Sequence, residues 1–206
     1  MRASILFATA LVALAGCKAD KVEIDLSDTD IQAAASGSRE MVDFEATFSN
    51  FGEMDDEQRA DMGAVESIIA KYVDVDDFEL EQTDMGFEVT VEGRIPLSSD
   101  PDTAEPWFIL VQPSETFPGT QRVQISNGRD FDSLEREARK INFMLAPDAF
   151  HPTQFRLDAD GMDVLAPAVQ VDGRYHLMWR ATVTDRARMT FKGGAYESIG
   201  AGFFAR

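Results

Sequence analysis

The sequence predicts an α+β fold: a largely antiparallel sheet with two main amphipathic helices packed on one face. Three observations lead there. Several short runs alternate apolar with polar residues, the period of a half-buried strand. Two longer stretches carry apolar residues at helical spacing. Hairpin-type turns outnumber connections of the βαβ kind, which favours antiparallel pairing with helices on one face. About 190 residues would follow an N-terminal leader, enough to bury a core of their own.

The elements follow in order. Val22, Ile24 and Leu26 alternate in a first strand that starts at Lys21. Thr29 to Ser36 has the spacing of a short helix and stops at Gly37, a residue suited to a helix C-terminus. Val42, Phe44, Ala46 and Phe48 form the next alternating run. Val65, Ile68, Ile69 and Tyr72 share a helix face behind Asp55-Asp56-Glu57, and carboxylates suit the positive end of a helix. Asp74-Val-Asp76-Asp77 reads as a solvated connection to the strand of Phe87, Val89 and Val91. Ser98 to Pro106 is the clearest loop and a candidate subdivision of the domain.

Trp107 to Val111 is a continuous apolar run bounded by Pro106 and Pro113. It is expected as a central strand covered on both faces, with the wall of a lipid-binding cavity as the alternative. Leu134, Ala138, Ile141 and Leu145 share a face of the second long helix, which starts near Asp132; Asp132 and Glu135 have capping-box spacing. Val169 and Val171 are joined through Asp172-Gly173 to the longest alternating run, Tyr175, Leu177, Trp179, Ala181 and Val183, a strong hairpin signal. From Gly193 the chain is glycine-rich yet aromatic, either a loosely held last strand or an interaction tail. Its end, Ala205-Arg206, is unlike the terminal aromatic of a transmembrane barrel.

The N-terminus carries the one specific motif. After Met1-Arg2, Ile5 to Ala15 form an apolar run. A membrane span needs about 20 apolar residues, so the run has the length and order of an export signal. It ends Leu14-Ala15-Gly16-Cys17. This tetrapeptide resembles the lipobox of bacterial lipoproteins. The resemblance implies cleavage after residue 16, a diacylglyceryl group on the Cys17 thiol and an acylated α-amino group, two signals that together anchor stably. It divides the chain into a signal peptide (1–16), a lipidated cysteine with a short tether (17–20) and a single domain (21–206). Lys18 stands where many Gram-negative lipoproteins bear an inner-membrane-retaining Asp, so by the same analogy this chain is sorted to the outer membrane, facing the periplasm. Cys17 is the only cysteine, which leaves the mature domain without a disulfide.

The formal net charge is −18. Such acidity argues against nucleic acid as a partner and against broad contact with anionic head groups. From Arg174 onward, however, the chain is net basic. Arg180, Arg186 and Arg188 are therefore a candidate surface for an anionic partner; pairing with the protein's own carboxylates across strands is the simpler account.

The search for chemistry yields mostly absences. The sequence has no nucleophile elbow, no glycine-rich phosphate loop, no His-Glu-x-x-His and no free thiol beyond Cys17. His151 and His176 are the only histidines; His176 shares its strand face with Arg174, Met178 and Arg180, the face expected toward solvent. Asp158-Ala-Asp160-Gly161-Met-Asp163 has the look of a calcium loop, but with Gly161 at the sixth position Arg156 and Pro167 fall where carboxylates are required. A turn explains the same residues. No metal, cofactor or catalytic residue is assigned. The chain holds 37 carboxylates, too many for any acid/base pair to be singled out.

The resulting expectation is a membrane-anchored lipoprotein of the bacterial cell envelope without enzymatic activity, a binding or scaffolding component of the kind that phages and plasmids also encode, with an envelope protein as partner. The alternatives are a periplasmic carrier of lipid or another apolar ligand, for which a cavity beside Trp107–Val111 would speak, and a carboxylate-dependent hydrolase. The sequence gives no indication of oligomeric state.

Overall fold

The structure is a computed structural model and describes residues 19–51, 54–141, 147–148, 151–192 and 201–206. Cys17 and the rest of the lipobox lie outside the described residues, as do Leu145 and most of the glycine-rich segment from Gly193.

The chain runs β1 (Lys21–Ser27), α1 (Asp28–Ala35), β2 (Glu40–Phe51), α2 (Asp56–Tyr72), β3 (Asp74–Gln82), β4 (Gly86–Ser98), β5 (Trp107–Pro113), β6 (Gln121–Asn127), α3 (Phe131–Ile141), β7 (Thr153–Asp158), β8 (Met162–Val171), β9 (Arg174–Val183), β10 (Arg186–Phe191) and β11 (Gly202–Ala205). Nine strands close into a barrel in the order β10-β7-β1-β2-β4-β5-β6-β11-β8, with β8 returning to β10. Two strands hang outside the ring, β3 on β4 and β9 on β8.

This architecture corrects the expected α+β fold. Of the described residues 53% are in strands and 21% in helices, and the helices do not form a layer on one face of an open sheet. Closure depends on contacts that local periodicity does not encode. Two of them are parallel pairings, β1 with the distant β7 and β4 with β5 across the 99–106 loop. The third is the double use of β8. Strand β9 takes one edge of it along Met162–Val171, and the opposite edge takes β11 at Val164 and Leu165, then β10 at Gln170 and Val171. Between those two contacts Ala168 has a positive φ of 46°. There the buried positions change phase, from Met162, Val164 and Ala166 to Val169 and Val171.

Local chemistry explains the helices and tight turns. The Ser27 Oγ accepts from the Asp30 backbone N–H and the Asp30 carboxylate accepts from that of Ser27, a reciprocal box that starts α1. Asp55 and Gln58 do the same for α2. Helix α3 begins at Phe131, so Asp132 lies in its first turn and is not the cap that the Asp132–Glu135 spacing suggested; the Asp130 carbonyl receives the N–H of Leu134 instead. Asp172 and Gly173 both have positive φ, 49° and 75°, as a two-residue hairpin turn of this type needs.

The main core fills the barrel. Phe155 lies between Phe191 and Phe203, with ring centroids at 5.9 and 5.4 Å in edge-to-face arrangements. Leu97, Ile109, Val111 and Val123 are fully buried in the same cluster, together with Ile31 and Ala34 of α1. A second, smaller cluster sits where α2 covers the β2-β4-β3 sheet; Met62 packs there with Phe87, Val89 and Val91, and Phe78 and Leu80 of β3 close it. The Asp74 to Asp77 segment, expected as a solvated connection, is the start of this strand. The end of the chain is a strand too: β11 is held between β6 and β8, with Phe203 and Ala205 buried.

Candidate functional site

Strands β1, β7 and β10 lie side by side, and their register lines up three polar rows across the outer surface of the barrel. Glu23, Gln154 and Thr190 form the first, Asp25, Arg156 and Arg188 the second, Ser27, Asp158 and Arg186 the third. In the first row Gln154 donates to Glu23 at 2.7 Å and Thr190 donates to Gln154 at 3.2 Å. In the second, Arg156 grips Asp25 through Nε and Nη2 at 2.6 and 2.8 Å and reaches Glu23 at 3.2 Å. The Asp25 hydrogen bonds hold the Arg156 guanidinium protonated above its ordinary range, against the opposing effect of its burial. Arg188 stands directly opposite Arg156. Because Arg156 is already neutralised by two carboxylates, Arg188 retains its charge for something else, and it makes no hydrogen bond or ion pair among the described residues.

At one end of these rows a half-open groove of about 440 Å³ runs between β1, β7, β10 and the β8–β9 turn. Lys21, Arg188 and Lys192 supply its cations; Gln154, Gln170 and Thr190 supply neutral hydrogen-bonding groups; Asp20 and Asp172 are its carboxylates. Lys21 pairs with Glu23, and Asp20 accepts the Ser49 backbone N–H. The cations left without a protein partner among the described residues are Arg188 and Lys192. This arrangement suits a small anionic group such as a phosphate or carboxylate.

The candidate arginines do not converge on one patch. Arg186 and Arg188 share the outer face of β10, and Arg186 is 3.4 Å from Asp158, the cross-strand pairing of the simpler account. Arg180 stands on β9, on the far side of β8, exposed and opposite Leu165. Its neighbourhood holds Asp163, whose carboxylate accepts from Thr182 at 2.7 Å and from Arg206 at 2.9 Å and is lowered below the usual carboxylate range by those two hydrogen bonds. Lys21 and Lys192 complete the groove but were not singled out by the sequence. Lys192 follows β10 and continues the Arg188–Thr190 face, whereas only the parallel β1–β7 register brings Lys21 beside Arg188.

The aspartate loop is the β7–β8 turn, with Gly161 at φ 94°. Two of its three carboxylates are engaged: Asp158 with Arg186 and Asp163 with Thr182 and Arg206. His151 precedes β7, where its Nδ1 accepts the backbone N–H of Ala19, whereas His176 stands on β9 opposite Val169. Among the described residues no group of three or more His, Cys, Asp or Glu side chains is placed to hold a metal ion, and no helix is long and apolar enough to cross a membrane.

Trp107 to Val111 is β5, and Phe108, Ile109 and Val111 are fully buried in it. A barrel of about this size either fills with side chains or holds one small ligand. Here Phe155, Phe191 and Phe203 occupy the interior. The strand predicted with most apolar alternation, β9, is poorly covered: Tyr175 is 66%, Leu177 92% and Met178 52% exposed.

Neither a protein-family model nor a curated protein matches the chain.

Proposed function

We propose that the chain is a lipid-anchored binding or scaffolding module of the bacterial cell envelope, without enzymatic activity, whose anchor end offers a groove to an anionic group of an envelope component. The observation that carries this reading is the position of Ala19. It is buried, at 1% exposure, and its N–H is held by His151 at 2.9 Å. Cys17 is only two residues earlier, so its Cα is at most about 7 Å from that of Ala19. Acyl chains on Cys17 would therefore hold the barrel directly on the membrane surface. Asp20 and Lys21 line the groove, so its mouth would lie close to the head groups or to whatever is bound there. Outer-membrane sorting is part of the proposal and rests on Lys18 alone.

A β-barrel is also an architecture that apolar-ligand carriers use, and the fold is compatible with that reading. The aromatic filling of the interior supports the surface reading over the carrier.

Metabolic labelling with a fatty acid tests the anchor. The wild-type chain is expected to take up label and to partition with membranes, and Cys17→Ser to do neither. A wild-type chain that takes up no label would refute the proposal. Replacing Arg188 and Lys192 by Gln tests the groove: titrated with inorganic phosphate, the wild type is expected to bind and the double variant to lose binding with its unfolding midpoint nearly unchanged.

A further inference from the structure

Three of the most exposed large apolar side chains, Tyr175, Leu177 and Met178, stand on the single strand β9. One edge of β9 pairs with β8; the other is free of strand partners among the described residues. The strand contains Arg174, His176 and Arg180 and no carboxylate. Strand β3 is the second one with a free edge, since it pairs with β4 alone. It contains Asp74, Asp76, Asp77, Glu79 and Glu81 and no cation. Charge on a strand edge ordinarily keeps copies apart, and charge of one sign on both edges would do so. In a chain of net charge −18, an edge of the opposite sign does the reverse.

From this we propose that the β9 edge of one copy adds to the β3 edge of a second copy, extending one sheet from barrel to barrel. On β3, Asp77, Glu79 and Glu81 are exposed. On β9, Arg174, Tyr175, Leu177, Met178 and Arg180 are exposed. Directly opposed residues of paired strands project to the same side, so the phase change at Ala168 carries over to β9: Trp179 opposite Ala166 and His176 opposite Val169 share the covered side, and Tyr175 opposite Gln170, Met178 opposite Pro167 and Arg180 opposite Leu165 share the other. An added strand brings the exposed carboxylates of β3 beside the β9 cations.

Arg94 pairs with Asp74 and Asp76 at one end of β3, but the rest of the strand's acidic face has no cation partner among the described residues. Asp77 stands opposite Glu92, which stands opposite Glu45, and Glu81 stands opposite Glu88. Like charges so placed are destabilising, and a neighbouring arginine would relieve them. The two edges hang from β4 and β8, four strands apart around the ring one way and five the other, so they face away from each other. A head-to-tail contact of this kind builds rings or open chains, not a closed pair. The inference names a partner for the scaffolding module proposed above, but it holds whether or not Cys17 carries lipid.

The test uses the full chain in detergent with two different affinity tags. Wild-type copies are expected to capture each other and to sediment as dimers and larger species. Glu79→Lys with Glu81→Lys leaves β9 intact, Arg174→Glu with Arg180→Glu leaves β3 intact, and each double variant alone is expected to be monomeric. Mixed, the two should associate again, because the intact β9 edge of one meets the intact β3 edge of the other and the reversed charges are also of opposite sign. Equal unfolding midpoints establish that the variants fold; should either not, Leu177→Glu, at a side chain almost wholly in solvent, is expected to abolish mutual capture instead. Wild-type copies that stay monomeric at every concentration, or a double variant that associates alone as the wild type does, would overturn the inference. Cys17→Ser should leave the association unchanged, so a failure here and a failure of lipid labelling are separate results.

Discussion

The backbone N–H of Ala19 donates to Nδ1 of His151 at 2.9 Å, across 132 positions of sequence. The bond fastens the start of the described chain to the segment before β7, just where β1 and β7 begin their parallel pairing with Val22 opposite Thr153. The His151 ring is itself wedged edge-on against Phe48 and Trp107, at 6.2 and 6.3 Å. His151→Phe would keep the ring and remove the acceptor. The expected result is a loss of roughly 1 kcal/mol, the usual net value of one hydrogen bond, with faster hydrogen exchange at the Ala19 amide. An unchanged exchange rate there would show that the clasp does not hold this segment.

The loop before β5 should be intolerant of a single methyl group. Gly128 passes so close to it that a Cβ would meet the Glu105 carbonyl oxygen at 2.0 Å and that of Thr103 at 2.7 Å. The residues around it hold that loop by backbone bonds: Gly128 donates to Pro106, Arg129 to Thr103 and Asp130 to Ala104. Gly128→Ala is expected to cost about 1–3 kcal/mol in denaturant unfolding, as overpacking does. Gly63, inside α2, meets nothing within 4 Å. Gly63→Ala should stabilise, by up to about 1 kcal/mol from helix propensity.

What could be read in the sequence was whatever a short window determines. The helical spacing of Thr29 to Ser36 ahead of Gly37, Asp55 ahead of α2 and Asp172-Gly173 are local signals, and the structure has the elements where these signals put them. Strand β3 was hidden because Phe78 and Leu80 are its main inward residues among five carboxylates. The barrel was hidden because its closure rests on few residue pairs that strand periodicity does not show, Leu97 with Ile109 and Ser98 with Leu110 in a parallel contact at one seam, Met189 with Val171 and Thr190 with Gln170 at another. Alternation was also misleading at β9. Its period is that of a half-buried strand, yet its position outside the ring leaves Leu177 in solvent. Long-range pairing also decides the site: Arg188 was legible as a cation four residues before Lys192, but its nearness to Lys21 follows from the β1–β7–β10 pairing alone.

The barrel core should be sensitive at Phe155. Its ring contacts both Phe191 and Phe203, so it links β7 to β10 and to β11. Those strands reach β8 through only a few residue pairs each. Phe155→Ala is expected to cost about 3–5 kcal/mol. Intrinsic fluorescence and circular dichroism followed through the same urea titration would check it, and coincident curves would show that ring closure and core packing are lost together.

Chelation should not alter stability. In the turn that has the look of a calcium loop, Asp158 is engaged by Arg186 and Asp163 by Thr182 and Arg206. The Asp160 backbone N–H donates to Asp28, which ties this turn to α1. Thermal unfolding with and without a strong chelator is expected to give the same midpoint. A fall on chelation would reveal a bound metal, because a ligand of the folded state stabilises by mass action.

Asp163 should shape the acid limb of stability. Its carboxylate is lowered from the usual range first by the Thr182 hydroxyl and then by Arg206, with burial opposing. A carboxylate lowered in the folded state binds its proton less readily there than in the unfolded chain. Stability therefore rises with pH where the unfolded group is losing its proton. The contribution is complete above the ordinary Asp value of about 3.9 and disappears as pH falls through the lower folded value. The group also clasps the end of the chain, since the Asp163 and Arg206 backbones exchange N–H···O bonds of 3.0 and 2.9 Å beside β11. Asp163→Asn keeps the shape and removes the titration. Its stability should lie below that of the wild type near neutrality and converge with it as pH falls through the lowered folded value, where both carry an uncharged side chain. Urea midpoints measured at intervals from pH 2 to neutrality would trace both curves; parallel curves with no convergence would show that Asp163 does not carry this part of the pH dependence.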